Sequence, residues 1–173
     1  MIIWLNGAYG AGKTTTAGEL VPLLPGARLF DAEQVGYMLG HVEGLPELGD
    51  FQHWPPWRHL VVETASQLLR YVGGTLVVTQ TVLVRQYWEE IRDGLERAGV
   101  PVRHFVLHSD PAVLAGRIRG DALENRDWRL EHLDEYREAL AWLREEASIV
   151  DTTHLGPGEA AGVVAEQAGE PPR

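Results

Sequence analysis

A glycine-rich loop near the N-terminus constrains the fold of this chain more than any other feature. Residues 7–14 read GAYGAGKT and match the pattern G-x-x-x-x-G-K-[ST] at every fixed position. An apolar run from Ile2 to Leu5 precedes the loop, and a helical pattern follows it through Ala17, Leu20, Val21 and Leu24. In this order of strand, loop and helix, backbone N–H groups and the positive end of the helix converge on one point, where a phosphate group binds.

The use of lysine singles out the same loop. Lys13 is the single lysine among 15 basic residues, and the others are all arginine. A lysine is a compact ammonium on a flexible stem, which reaches into a tight phosphate cradle as a point charge. We expect Lys13 to reach the β- and γ-phosphates of a nucleoside triphosphate and the Thr14 hydroxyl to bind Mg²⁺. A chance glycine turn is the alternative, but the flanking strand and helix favour a phosphate site.

The composition is that of one soluble domain spanning residues 1–173. Hydrophobic residues make up 45% of the chain, and the net charge of −10 argues against binding to nucleic acid or to an anionic membrane surface. No apolar run approaches the ~20 residues of a membrane-spanning helix, so no stable membrane insertion is predicted. The chain has no cysteine, and its first residues lack the basic segment of a signal peptide, which predicts a cytoplasmic location.

Short apolar segments alternate with helical patterns along the chain, which predicts an α/β fold with a parallel sheet and helices on both faces. The predicted strands are residues 2–5, 27–30, 75–79, 102–107 and 147–150. The predicted helices include residues 57–71, 86–98 and 157–168, with two more that start at Asp110-Pro111 and at Trp128.

Polar side chains follow the predicted strands at the edge where open parallel sheets bind ligands. Asp31 is our candidate for binding an acceptor hydroxyl and for the general base that takes its proton. The alternative is that Asp31 only caps the helix that follows it. The edge as a whole carries Lys13, Asp31, Gln80, Thr81 and Asp110.

The third predicted strand lacks the acid that commonly holds Mg²⁺ in proteins with this loop. The strand ends in residues 79–81 (TQT), without a carboxylate. We expect Mg²⁺ to be held by Thr14, phosphates and waters, with Asp31 or Glu33 acting through water. The missing acid also argues against a hydrolytic motor or switch.

A polar segment without apolar periodicity, residues 120–127, has the length and position of a lid over a transferring phosphate. Arg117, Arg119 and Arg126 flank this segment, where guanidinium groups neutralise charge in the transition state. The alternative is a solvated charged loop after a helix.

Residues 40–57 are rich in glycine, proline and aromatic side chains and predict an acceptor-binding loop region. Aromatic rings offer stacking faces and arginine offers a fork of donors. The alternative for the tryptophans is packing in the core. The predicted acceptor set is Phe51, His53, Trp54, Trp57 and Arg58, together with Gln80 and Thr81.

Several of these motifs together resemble one protein family. They are residues 1–14 (MIIWLNGAYGAGKT), Phe30-Asp31, Gly36, Asp50-Phe51-Gln52 with Trp57-Arg58, and Thr81. The chain resembles the bacterial tunicamycin-resistance ATP-binding proteins, which are similar to chloramphenicol phosphotransferase, shikimate kinase and gluconate kinase.

The resemblance implies a fold and several residue roles. It implies a P-loop NTPase three-layer sandwich, with a five-stranded parallel sheet of order 2-3-1-4-5 and a small lid. It places Asp31 where those kinases hold the acceptor hydroxyl, Arg117 where they carry a lid arginine, and Thr152 near their adenine site.

The sequence therefore predicts an ATP- and Mg²⁺-dependent small-molecule kinase, with Lys13, Asp31 and Arg117 as catalytic residues. Its partner would be a nucleoside-like or antibiotic acceptor, and its oligomeric state is not predicted. The alternative is a protein that binds tunicamycin in an ATP-dependent way without phosphoryl transfer. The predicted nucleotide-binding residues are Gly7, Ala8, Tyr9, Gly10, Ala11, Gly12, Lys13, Thr14, Thr15, Arg117 and Thr152.

Overall fold

The computed structural model describes residues 1–120 and 126–169. The predicted lid, residues 120–127, therefore lies mostly outside the described residues. The strands are β1 (Ile2–Gly7), β2 (Ala27–Asp31), β3 (Thr75–Thr79), β4 (Val102–His108) and β5 (Ser148–Asp151). The α-helices are α1 (Lys13–Leu20), α2 (Glu33–Gly40), α3 (Pro55–Val72), α4 (Arg85–Arg97), α5 (Pro111–Gly120), α6 (Arg126–Glu146) and α7 (Pro157–Gly169).

The five strands form one parallel sheet in the order β2-β3-β1-β4-β5. Ile2 pairs with Leu76 on one side and with Val102 on the other, so β1 lies at the centre of the sheet. The predicted fold class and strand order are confirmed. Because every strand runs the same way, the loops that follow the strands meet at one edge.

Hydrophobic side chains of β1 alternate between two cores, one on each face of the sheet. Ile3 and Leu5 pack with residues of α1, α6 and α7. Ile2 and Trp4 pack on the other face with residues of α2, α3 and α4. This is the pattern of a strand that is buried on both faces, and it gives the predicted layers of helix, sheet and helix.

Two element boundaries differ from the sequence prediction, each for a local reason. The first α-helix ends at Leu20, and residues Val21–Leu23 form a 3₁₀ helix because Pro22 has no N–H to continue the α-helical ladder. In the predicted loop region 40–57, a short 3₁₀ helix covers Phe51–His53 and α3 begins at Pro55. A proline in the first turn is compatible with a helix start, since that N–H has no intrahelical partner.

Within residues 1–120 and 126–169, no helix is both long enough and apolar enough to cross a membrane.

Candidate functional site

The loop after β1 has a backbone that glycine alone adopts readily. Gly7, Gly10 and Gly12 have φ values of 133°, 79° and 87°. A Cβ on Gly7 would lie 2.4 Å from the carbonyl oxygen of Leu107, and one on Gly10 would lie 2.7 Å from the Ile118 side chain. Gly12, the N-cap of α1, has the left-handed conformation and offers no side-chain cap, so the first N–H groups of α1 are left for a ligand in the loop. A phosphate group fits this cradle.

A buried asparagine fixes the start of the loop. Asn6 is fully buried, and its Oδ1 accepts hydrogen bonds from the N–H groups of Gly7 (2.8 Å) and Val82 (2.9 Å). Its Nδ2 donates to the carbonyl oxygen of Val82 (2.9 Å) and lies 3.2 Å from Nε2 of His104. Asn6 thus joins β1 to the segment that follows β3. Sequence reasoning missed this role, although an amide that ends a wholly apolar strand was a signal.

Lys13 folds back onto the loop. Its Nζ donates to the carbonyl oxygens of Gly7 (3.0 Å) and Ala8 (2.9 Å). Burial lowers the pKa of Lys13 to about 7, with the Glu33 carboxylate opposing and the Arg129 guanidinium adding to the decrease. The ammonium therefore lies where it can meet phosphate oxygens, and a phosphate would supply the counter-charge that favours its protonated form.

The acidic residues after β2 have different environments. Both oxygens of Asp31 are engaged: Oδ1 accepts from the Glu33 N–H (3.0 Å) and Oδ2 from Nε2 of Gln34 (2.9 Å). Ala32 is the backbone N-cap of α2, so Asp31 caps the helix from one residue further out. Burial raises the pKa of Glu33, and Asp31 adds to the rise while Lys13 opposes it. Glu33 is the stronger candidate for a proton acceptor, and the D-x-E spacing after β2 was its signal.

Oxygen groups that suit Mg²⁺ lie beside the loop. Thr14 is exposed in the first turn of α1, as a Mg²⁺ ligand next to phosphates requires. At the end of β3, Gln80 is buried and its Oε1 has no hydrogen-bond partner among the described residues. In the described part of the chain, no group of three or more His, Asp or Glu side chains could hold a metal by itself. Thr14 and phosphates fit the predicted site better than a protein-only cage does.

One cavity, of about 300 Å³, brings together four residues that were predicted to bind nucleotide, Ala11, Gly12, Arg117 and Thr152. Arg117 donates from Nη2 to the carbonyl oxygen of Thr152 (2.8 Å), and its Nη1 lies 3.4 Å from the Thr152 hydroxyl. These bonds connect α5 with the end of β5. Contact of these residues with a nucleotide stays a prediction. The lining is Ala11, Gly12, Thr16, Arg117, Thr152, Leu155, Gly156, Pro157 and Ala160.

A second cavity, of about 480 Å³, meets the phosphate-binding loop at Tyr9 and Thr81. The Thr81 hydroxyl donates to the Gly7 carbonyl (2.9 Å), so this wall of the cavity touches the loop directly. Of the predicted acceptor set, His53 and Thr81 line this cavity. The remaining lining is Asp50, Gln52, Leu83, Val84, Arg85, Tyr87, His132, Glu135, Glu138, Ala139 and Trp142.

The structure corrects the predicted place of Trp57 and Arg58. Trp57 is fully buried in the core and donates from Nε1 to the Ala32 carbonyl (3.1 Å), so it lines no acceptor cavity. Arg58 is also buried, with its guanidinium 4.1 Å from the Tyr87 ring centroid and paired with Glu90. Its Nη1 donates to the Gln52 carbonyl oxygen. Arg58 supports the cavity wall from behind, because it contacts Gln52 and Tyr87, which line the cavity.

Phe51 and Trp54 lie apart from the second cavity. They line a groove of about 550 Å³ against α2, which also includes Gly36, Tyr37 and Asp50. Gln80 lines neither the groove nor the two cavities. Phe51, Trp54 and Gln80 therefore remain predictions as acceptor residues without a shared cavity to support them.

The arginines near the predicted lid differ in position. Arg119 is exposed, and the side chain of Arg126 lies outside the described residues. Arg129, in the first turn of α6, is 9% exposed, and its charge acts on Lys13 and Tyr9. Sequence reasoning missed Arg129, because a single arginine in a charge-rich helix does not show which way it points.

Comparison with known proteins places this geometry in a family. The tunicamycin resistance protein of Deinococcus radiodurans is 32% identical, with a TM-score of 0.76 over 99% of this chain and 98% of that chain. A shikimate kinase from Acinetobacter baumannii, solved in complex with shikimate, is 19% identical and has a TM-score of 0.67, over 96% and 92% of the two chains. A sugar kinase from Janibacter is 20% identical with a TM-score of 0.67, over 96% and 91%. The last two show a shared fold.

The predicted resemblance to the tunicamycin-resistance proteins is confirmed by the first of these similarities. No protein of curated function matches the sequence. The family model described as the AAA domain matches residues 2–143, which include the phosphate-binding loop, β1 to β4 and most of α6. The chain is thus a P-loop nucleotide-binding protein and belongs to the AAA domain family.

Proposed function

We propose that this protein is an ATP-dependent small-molecule kinase, which transfers the γ-phosphoryl group to a hydroxyl of a nucleoside-like or antibiotic acceptor. One observation carries the proposal: two cavities that share no lining residue meet the phosphate-binding loop at different places. The cavity at Ala11, Gly12, Arg117 and Thr152 suits the nucleoside of ATP. The cavity at Tyr9 and Thr81 suits an acceptor, since 480 Å³ lies within the range of small-molecule sites.

Different groups of the loop bind different parts of the triphosphate. Backbone N–H groups of residues 7–14 and the start of α1 bind phosphate oxygens, and Lys13 places its ammonium on the β- and γ-phosphates. Thr14 would hold Mg²⁺, and the ion would supply positive charge to offset the charge that develops on the transferring group. Arg129 is the arginine best placed to act on the same charge from α6.

The acidic pair after β2 would handle the acceptor proton. The acceptor oxygen forms a bond to the γ-phosphorus while the bond to the β,γ-bridging oxygen breaks, and ADP leaves. The hydroxyl proton passes to a carboxylate. We assign this role to the pair Asp31 and Glu33. Glu33 is favoured as the base because its pKa is raised, and Asp31 is favoured for orienting the hydroxyl.

Mass spectrometry of reaction mixtures tests the proposal. The protein is incubated with Mg-ATP and a panel of tunicamycin, uridine-type nucleosides, chloramphenicol and small sugars, and each acceptor is examined for a gained phosphoryl group. The proposal requires a phosphorylated product that is lost in Lys13→Ala. It also requires turnover reduced by ~10²-fold or more in Glu33→Gln or Asp31→Asn, with little change in ATP affinity.

A second function is favoured by one specific observation, the missing carboxylate at the end of β3. Residues 79–81 (TQT) supply hydroxyl and amide groups there, which would bind Mg-ATP without the charge that assists its turnover. The protein would then bind tunicamycin in an ATP-dependent way; the relative from Deinococcus radiodurans is named a tunicamycin resistance protein. Tunicamycin that co-purifies in the presence of ATP, with no phosphorylated acceptor in the panel, would support this function over the kinase.

A further inference from the structure

The backbone pairing between β1 and β3 stops just before the phosphate-binding loop. The last Cα partners are Leu5 and Thr79, and the N–H of Gln80 still donates to the Leu5 carbonyl oxygen (3.2 Å). Beyond this point the backbone of β1 leaves β3 to form the loop. The segment that follows β3 therefore needs another partner for its N–H and C=O groups, because buried backbone groups are rarely left unpaired.

The side-chain amide of Asn6 takes over this pairing. Its Oδ1 accepts from the Val82 N–H (2.9 Å) and its Nδ2 donates to the Val82 carbonyl oxygen (2.9 Å), so both backbone groups of Val82 are paired. An amide presents an acceptor and a donor side by side, as a neighbouring strand does. Asn6 thus continues the sheet by one step where the backbone of β1 has turned away.

The same amide holds the first residue of the loop. Oδ1 of Asn6 also accepts from the Gly7 N–H (2.8 Å). The carbonyl oxygen of Gly7 accepts from Thr81 Oγ1 and from Lys13 Nζ. Both backbone groups of Gly7 are therefore fixed by side chains of the protein, and the direction in which the loop leaves the sheet depends on Asn6.

His104 fixes which way the amide faces. The N–H groups of Gly7 and Val82 both require an acceptor, which assigns Oδ1 to their side of Asn6. Nδ2 then lies on the other side, 3.2 Å from Nε2 of His104. Nε2 must carry a lone pair, so the ring proton lies on Nδ1. Burial lowers the pKa of His104 to about 3, which keeps the ring neutral, and the Trp88 ring covers it at a centroid distance of 3.8 Å.

These four hydrogen bonds use the full capacity of the Asn6 amide. Asn6 is fully buried, and its neighbours supply two donors and two acceptors. An ionised aspartate has the same shape and could accept but not donate, and a leucine could do neither. The position therefore requires an amide in one orientation, and not a polar side chain in general.

Val82 lies between Thr81 and Leu83, which both line the second cavity. We infer that Asn6 is a positioning residue for both substrates, because its amide holds the phosphate-binding loop at Gly7 and the segment of the cavity wall at Val82 in one geometry. A triphosphate that orders the loop thereby also orders this segment of the wall. The inference rests on the proposed function, in that it takes the second cavity as the acceptor site.

Hydrogen exchange of the intact protein, with and without Mg²⁺ and the non-hydrolysable ATP analogue AMPPNP, measures this connection. AMPPNP is the probe of the loop, and mass spectrometry reads its effect in residues 81–84. We expect AMPPNP to slow exchange in this segment by about 5-fold or more in the native protein. Asn6→Asp loses both donated hydrogen bonds and should show less than half of this slowing. Some slowing should remain, since the Thr81 hydroxyl still contacts Gly7.

A pair of His104 variants separates hydrogen bonding from packing. Glutamine can accept from the Asn6 amide, whereas leucine fills a similar volume and cannot accept. We expect His104→Gln to keep the native slowing and the native affinity for AMPPNP. His104→Leu should bind AMPPNP about 5-fold more weakly and lose slowing as Asn6→Asp does. Val61→Thr is the control for lost stability, since Val61 is fully buried in α3 and lies outside this network of hydrogen bonds.

Three results would overturn the inference. Slowing that is absent in the native protein, or equal in native protein, Asn6→Asp and His104→Leu, would show that Asn6 does not connect the loop to the cavity wall. Equal losses in His104→Gln and His104→Leu would show that His104 acts through its volume. A loss of the same size in Val61→Thr would assign the effect to general destabilisation.

Phosphoryl transfer to the acceptor panel separates this inference from the proposed function. Transfer by the native protein, without a connection between the loop and residues 81–84, would leave the kinase standing and remove the inference. A connection that depends on Asn6 and His104, without transfer to any acceptor tested, would leave the role of Asn6 standing and argue against the kinase.

Discussion

Lys13 and Thr81 donate to the same atom, the carbonyl oxygen of Gly7, from Nζ at 3.0 Å and from Oγ1 at 2.9 Å. Thr81 follows β3 and lines the second cavity, whereas Lys13 begins α1. A single peptide group therefore joins the residue that would hold the triphosphate to a wall of the proposed acceptor site.

Replacement of Thr81 by valine should weaken ATP binding. Without the Thr81 hydroxyl, the Gly7 carbonyl has Lys13 as its remaining side-chain donor, and the ammonium is held more firmly away from phosphate. One hydrogen bond of this kind contributes about 1 kcal/mol, which corresponds to about a 5-fold change in Kd. Thr81→Ser keeps the hydroxyl and should bind ATP like the native protein. Titration with ATP measures the affinity of both variants. Equal ATP affinity of Thr81→Val and Thr81→Ser would contradict this account.

ATP binding should be linked to proton uptake above pH 7. The pKa of Lys13 is lowered to about 7 by burial, so part of the protein holds this amine neutral at pH 8. A bound triphosphate favours the ammonium form and raises that pKa, so binding at pH 8 takes up protons. Calorimetry in two buffers of different ionisation enthalpy measures the uptake. Lys13→Met should show none of it, and equal uptake in that variant would assign the proton to another group.

Stability should fall as the pH decreases from about 6.5 towards 3, in part through His104. Burial lowers the pKa of His104 to about 3 from its ordinary 6.5. Between these values the unfolded chain binds the proton and the folded protein does not, so protonation favours unfolding. The slope reaches about 1.4 kcal/mol per pH unit for one group.

Denaturant unfolding of native protein and His104→Gln between pH 7 and 4 measures this contribution. Glutamine can still accept from the Asn6 amide but does not titrate. The difference in unfolding free energy between the two proteins should shrink as the pH falls. A constant difference would show that His104 does not contribute to the acid sensitivity.

Gly36→Ala should destabilise the protein, whereas Gly40→Ala should not. A Cβ on Gly36 would lie 2.6 Å from the Phe51 ring, and one on Gly40 would meet no atom within 4 Å. Both glycines lie in α2, so helix propensity favours alanine at either position. We expect Gly36→Ala to lose about 1–3 kcal/mol of unfolding free energy through overpacking. Thermal melts compare the stability of the two variants directly. Equal melting temperatures would contradict the predicted overpacking at Gly36.

The sequence was sufficient for those features that depend on neighbouring residues. The loop of residues 7–14 and the alternation of apolar strands with helices gave the fold and the strand positions, because both patterns are local. The roles of Trp57 and Arg58 could not be read in this way. A tryptophan and an arginine next to a loop suit a pocket and a core equally well, and the choice depends on how α3 rotates against Ala32 and Tyr87.

The second cavity could not be predicted from the sequence either. Its walls come from Tyr9, Asp50, Thr81 and the part of α6 from His132 to Trp142, which are far apart in sequence. Glu135 and Glu138 look like ordinary surface charges of an amphipathic helix. Their common orientation becomes visible once the sheet has brought α6 opposite the loop after β3.

Helix α6 carries Arg129 near its start and, further along, Glu135 and Glu138 of the second cavity, within one run of 21 residues. A helix rises 1.5 Å per residue and behaves as a stiff rod over such a length. A shift of Arg129 towards a phosphate would therefore carry Glu135 and Glu138 with it. Under the proposed function, the triphosphate and the acceptor would then not be bound as independent events, and the order of their binding would depend on the position of this one helix.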